Sequence, residues 1–227
     1  MAKKRKPTLC SYCGEVTSDW NREHVIPAQL YPLSKSKSKV QRLVVPSCRR
    51  CNSSWQDDEV HFRNMMTFIA SNPVSKEVWA TAMRHLGNQP DGLRRSLEVL
   101  QRIEPVEKDG TTDYIIDTEG DEKVMRVVRK VIRGLCHHHR LFCALPDQRV
   151  HAKLTEYPFP AGMYDDLTGH HRERDILEYW FELDQFEEAH SVWTLVFFGS
   201  VAFLGYVSAT EEFSPAWPHM RKGGGGR

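Results

Sequence analysis

The residues best suited to chemistry are gathered between positions 10 and 52. Cys10-Ser11-Tyr12-Cys13 and Cys48-Arg49-Arg50-Cys51 are two Cys-x-x-Cys pairs, Glu23-His24 lies in the gap between them, and Asn52 directly follows the last cysteine. Each pair can present two thiolates from one tight turn, and two such turns complete the tetrahedral sulfur shell of a structural zinc. Four free thiols or a disulfide pair are the plainer alternatives, and two pairs at this spacing favour zinc over both. With all four positions filled by protein, such an ion has no place for a reacting water. Residues 14–47 separate the pairs, more chain than a plain zinc ribbon needs, so the gap is expected to hold a functional element. Glu23-His24 is the candidate. A neutral imidazole can take a proton from water near neutral pH, and carboxylate and carboxamide oxygens suit a hard divalent cation. The dipeptide alone is a weak signal, because a lone histidine is usually structural. Asn52 has a second reading as the cap of the helix that follows.

At these residues the chain resembles the HNH nuclease family, whose fold is called ββα-metal. The matching pattern is Cys-x-x-Cys, then Glu23-His24, the hydrophobic-proline step Ile26-Pro27, and Val45-Pro46-Ser47-Cys48 leading to Cys51-Asn52. The run from Ser53 to Glu59 continues a bacterial branch in which a helix with paired acids follows the zinc. The resemblance spans residues 8–64. It implies an endonuclease that hydrolyses DNA phosphodiester bonds with a single divalent ion, Mg2+ or Mn2+, held by Glu23 and Asn52. His24 would be the general base that takes the proton of the attacking water. Zinc on Cys10, Cys13, Cys48 and Cys51 would clamp Asn52 beside the Glu23-His24 strand. The family's middle-strand asparagine, which steadies the loop bearing the histidine, is replaced here by Gln41. Gln41 is one methylene longer, so reduced activity is an expectation. RNA is the alternative substrate, because backbone chemistry does not read the base. The alternative class is a zinc-ribbon nucleic-acid-binding module without catalysis.

The 227 residues are 40% hydrophobic and 27% charged, the balance of a globular chain with room for one large or two small domains. Net charge is only +1, so a nucleic-acid reading rests on where the charge lies. Lys3-Lys4-Arg5-Lys6 opens the chain, Lys35, Lys37 and Lys39 alternate with serines in the gap, and Arg42, Arg49 and Arg50 follow. Basic charge grouped around the cysteines is the footprint of phosphate-backbone contact. The N-terminal run reads equally well as a solvated tail. No apolar run reaches transmembrane length, since the longest, residues 192–207, is broken by Gly199, Ser200 and Gly205. The charged N-terminus carries no secretory pattern, and zinc-type cysteines without a disulfide framework fit a reducing cytoplasm. A membrane partner is not expected, and no residue pattern points to a protein partner.

The elements that must position these residues read as α+β. A basic arm over 1–8 precedes a four-cysteine nuclease module over 9–70, a helical connector over 71–104, and an α+β domain with an antiparallel sheet over 105–220. A Gly-rich tail occupies 221–227. Gly14 suits the tight turn of the first knuckle, and Pro27 and Pro32 argue for strand and loop rather than a long helix over 20–30. A short strand is expected over 41–45. Helices are expected over 52–70, over 75–86 with Ser75 as cap, and over 92–102. Asp109-Gly110 marks a hairpin turn within 103–117. The clearest periodicity is that of Val124, Val127, Val131, Ile132 and Leu135 in a helix over 122–136. Lys123, Arg126, Arg129, Lys130 and Arg133 read as its solvated face, with a phosphate-contacting stripe as the alternative. Asp57, Asp58, Glu59 and His61 read as the polar face of the preceding helix. His137-His138-His139 reads as a polar helix end, His170-His171 as a polar loop, and Cys136 and Cys143 as buried thiols. Strands are expected over 150–157, 176–183, 192–198 and 201–207, with Gly199-Ser200 turning the last two into a hairpin.

Overall fold

The computed structural model describes residues 6–33, 42–70, 72–86, 91–108, 110–116, 120–155, 169–173, 175–183 and 189–208. They carry helices and antiparallel sheets, so the fold is α+β. Strand β1 (Thr8–Leu9) pairs with β2 (Val16–Thr17), and β3 (Trp20–His24) pairs with β4 (Val44–Cys48). Helices α1 (Arg49–Ser54) and α2 (Gln56–Ile69) follow without a loop. The single helix expected over 52–70 therefore starts earlier and is divided at Trp55. Its start is set by Cys48, whose sulfur accepts a hydrogen bond from the Cys51 amide at 3.4 Å, so Asn52 lies inside the helix and does not cap it.

Helix α3 (Pro73–Leu86) is capped by Asn72, whose Oδ1 accepts from the Ser75 amide at 2.7 Å. Pro73 then takes the first helical position, where no amide hydrogen is needed. Ser75, expected as the cap, instead donates to the Ala70 and Asn72 carbonyls. Helix α4 (Gly92–Leu100) and the hairpin β5 (Ile103–Lys108) with β6 (Thr111–Ile116) lead to α5 (Glu122–His138). Asp121 caps α5 through the amides of Lys123 and Val124.

Strands β7 (Val150–Thr155), β8 (Gly169–Glu173), β9 (Leu177–Leu183), β10 (Ala189–Phe197) and β11 (Val201–Ser208) form one antiparallel sheet in the order β7-β11-β10-β9-β8. His170-His171 is strand rather than loop, because β8 is the sheet edge, where polar residues are tolerated. His171 stacks on Tyr179 with ring centroids 5.0 Å apart. His139 joins the same cluster, bonding the Tyr179 hydroxyl at 2.9 Å. Burial holds His139 down to about 4, which suits the polar, uncharged helix end expected there. The β10–β11 turn is centred one residue earlier than expected: Phe198 and Gly199 both have positive φ, and the Ser200 amide donates to the Phe197 carbonyl at 3.1 Å. Two left-handed central residues match the right-handed twist of the flanking strands.

Helix α5 is the centre of the packing. Val124, Val127, Val128, Val131, Ile132, Leu135 and Cys136 are all fully buried, and the helix contacts α2, β4, β7 and β11. One apolar cluster runs from Cys10 to Val207. No described helix is long and apolar enough to cross a membrane. At Gly134 a Cβ would lie 2.9 Å from both methyls of Val25, so the residue after His24 rests directly on the α5 backbone. Gly134→Ala should therefore destabilise the fold. Overpacking costs about 1–3 kcal/mol, against the roughly 1 kcal/mol by which alanine is the better helix former. A urea titration should show a lowered midpoint, and an unchanged midpoint would mean that Val25 has room to move.

Candidate functional site

The first cysteine knuckle is a turn closed by the Gly14 amide on the Cys10 carbonyl at 3.0 Å, with Gly14 at φ 73°. Ser11 stitches it to β4, both its amide and its hydroxyl donating to the Pro46 carbonyl. The second knuckle is the β4–α1 junction itself. The four sulfurs of Cys10, Cys13, Cys48 and Cys51 lie within 4.8 Å of one another, and those of Cys13 and Cys48 are 3.7 Å apart. A tetrahedron of zinc–sulfur bonds of about 2.3 Å places its sulfurs about 3.8 Å apart, so the tetrad fits a metal such as zinc. The thiols cannot all ionise alone: a hydrogen bond from Cys51 holds Cys10 down to about 4, and the same contact pushes Cys51 far up. A divalent cation at the centre removes that conflict by stabilising every thiolate.

The hairpin register places Trp20 opposite Cys48, Glu23 opposite Val45 and His24 opposite Val44. Because α1 begins at the end of β4, Asn52 is brought back against β3, and its Nδ2 donates to Glu23 Oε2. The other oxygen of Glu23 accepts from Lys130 Nζ of α5 at 2.6 Å. Lys130 is fully buried. Its amine also donates to the His24 carbonyl at 2.9 Å and to Glu59 Oε1 of α2, so three donors meet three acceptors. Burial pushes the Glu23 carboxyl above its ordinary range, and Lys130 opposes the shift. Burial, aided by the charges of Arg42 and Lys130, holds His24 below the usual histidine value of 6.5. Its Nδ1 is buried without a hydrogen-bond partner.

No family model, curated protein or solved structure matches this chain.

The sequence-predicted residues divide clearly. Glu23 and Asn52 are in contact, with His24 next in the strand. Gln41, Lys35, Lys37 and Lys39 lie outside the described residues. Arg42 lies over the Tyr31 ring at 4.4 Å. Arg49 and Arg50 are on the surface beside Asp19 and Glu15. His61 points elsewhere: it is buried, with Nε2 on Asp121 at 2.7 Å and Nδ1 3.8 Å from Glu98.

The solvated face expected of α5 is overturned at its centre. Lys130 and Arg133 are buried because the cysteine module covers them. Arg133 donates to the Tyr12 and Leu145 carbonyls, both at 2.7 Å, and lies against the Tyr12 and Trp55 rings. Arg126 pairs with Asp58 and also faces Trp55. Lys130 and Glu59 are the site residues that sequence reasoning missed. The available signal was the position of Lys130, flanked by Val127 and Val131 at the margin of the apolar arc.

Two outcomes follow. Purified protein should hold one zinc per chain by elemental analysis, and Cys10→Ser or Cys51→Ser should unfold the region around the knuckles; a metal-free chain with native circular dichroism would overturn this. Lys130→Met should cost about 3–5 kcal/mol in denaturant unfolding, the usual penalty for stranding buried charge. The double variant Lys130→Met/Glu59→Gln should recover part of it.

Proposed function

We propose that the protein is an HNH-type endonuclease that hydrolyses DNA phosphodiester bonds, with His24 as general base. The observation that carries this reading is the contact between Asn52, fixed in α1 by the cysteine tetrad, and Glu23, next in the strand to the half-buried imidazole of His24. Depression of the His24 pKa keeps the ring neutral at physiological pH, as a base must be. His24 takes a proton from water, the water oxygen bonds to phosphorus, and the bond from phosphorus to the 3′ oxygen breaks, that oxygen leaving with the electron pair and taking a proton from solvent.

Glu23 and Asn52 supply hard oxygen donors and would hold Mg2+ or Mn2+, the remaining positions falling to water and substrate phosphate. A half-turn of the Asn52 carboxamide brings its oxygen to the side where Nδ2 now meets Glu23. Such an ion, when bound, neutralises charge on the phosphate and on the leaving oxygen. Lys130 keeps the Glu23 carboxylate and the His24 backbone in place. The tetrad, with zinc bound, holds Asn52 and takes no part in the proton transfer.

One observation favours the alternative of a binding module without catalysis. Both Glu23 oxygens already have partners, Lys130 and Asn52. Single-turnover assays on plasmid, linear duplex, single-stranded DNA and RNA, with Mg2+ or Mn2+, separate the two. His24→Ala should keep metal content, fold and binding while losing at least about a hundredfold in cleavage. The acid limb of kcat/KM should lie below pH 6.5, since the rate falls only as pH drops through the depressed His24 value. Undiminished cleavage by His24→Ala removes the mechanism. An inactive parent that still binds DNA selects the module.

A further inference from the structure

Beside β3 lies an open cavity of about 630 Å3 lined by Lys6, Thr8, Trp20, Asn21, Arg22 and Asn52. That volume is within the ~300–1,000 Å3 range of small-molecule sites. Its described lining holds two cations, one aromatic ring, a hydroxyl and two carboxamides, and no carboxylate. Trp20 and Arg22 are two residues apart on β3 and share a face, while Glu23 points the other way. The Trp20 indole nitrogen donates to the Lys6 carbonyl at 3.1 Å, which ties the ring to the chain that carries the Lys6 side chain. Asn52 belongs both to this wall and to the Glu23 contact. The cavity thus opens onto the carboxamide proposed to hold the divalent ion.

We infer that this cavity binds one unstacked nucleotide of a single-stranded nucleic acid, its base on Trp20 and its phosphate between Lys6 and Arg22. The inference rests on the nuclease reading for the role of Asn52, and the binding site itself stands on the lining residues. A base can lie on an indole only if one of its faces is free, which holds in single strands and frayed ends and fails within a duplex. The two cations supply sequence-independent attraction to the backbone. The site therefore assigns the substrate class: single-stranded or locally opened nucleic acid in preference to intact duplex.

The test is fluorescence anisotropy with a labelled mixed-sequence single-stranded DNA 12-mer and with its duplex, without added divalent ions, on the full chain. The parent should bind the single strand more tightly. Trp20→Leu should lose about tenfold or more of that affinity, in line with the loss of one stacked base, and little of the duplex affinity. Trp20→Phe should stay close to the parent. Because Trp20 pairs with Cys48 across the hairpin, zinc content is measured on each variant. Arg22→Ala, an exposed change that leaves the zinc knuckles untouched, should weaken single-strand binding and reduce its salt slope by about one. Equal single-strand affinity of Trp20→Leu and parent, or a parent that prefers duplex, overturns the inference whether or not the parent cleaves. Trp20-dependent single-strand binding in a parent that cleaves nothing upholds the inference and removes the nuclease reading.

Discussion

Enclosing one amine among two carboxylates is the constraint on which the site depends. Lys130 reaches from the central helix to Glu23 on the hairpin and Glu59 on α2, and holds the His24 carbonyl as well. Bringing an ammonium group out of water is costly, and it is tolerable here because every donor finds an acceptor and opposite charge lies on two sides. Three elements distant in sequence are tied at one atom. Glu23 is thereby kept close to Asn52, and the strand end that carries His24 is pinned. Gly134 allows the same strand end to settle on the helix backbone through Val25, so apolar contact and ion pairing act on neighbouring residues.

The cysteine tetrad acts from the other side. Its sulfurs join the turn after β1 to the start of α1, and the start of α1 decides where Asn52 faces. Arg133 and Arg126 brace the aromatic residues beneath it, Tyr12 and Trp55, from α5. The Glu23–Asn52 contact is thus held by a sulfur cluster on one flank and a basic helix on the other.

What could be read from the residues was whatever is encoded locally. The Cys-x-x-Cys spacing marks the tetrad, Gly14 marks its turn, and the apolar period of α5 marks a long helix at nearly its observed bounds. The β5–β6 hairpin was legible from Asp109-Gly110, of which Asp109 lies outside the described residues, and the β10–β11 turn only to within one residue, because nothing in a phenylalanine signals the positive φ of Phe198. Features that depend on what a neighbour supplies were not legible. Periodicity identifies the polar arc of α5 but cannot say whether water or acids will face it, so Lys130 and Arg133 looked like surface. Edge strand β8 carries no apolar alternation, because its position in the sheet rather than its composition makes it a strand. Asn72 displaced Ser75 as a cap because Pro73 can occupy the first helical turn without donating.

The interleaving of α5 with the cysteine region bears on how this chain could be taken apart or borrowed from. A recombination event, or a designer, that lifted residues 8–64 into another host would carry Glu23 and Glu59 but leave Lys130 behind. The recipient would acquire two inward-facing acids with no counter-ion, and Tyr12 and Trp55 without the guanidinium groups that lie against their rings. To be portable, the unit must travel with its helix from some seventy residues downstream. Inheritance of the site is therefore tied to inheritance of the central helix.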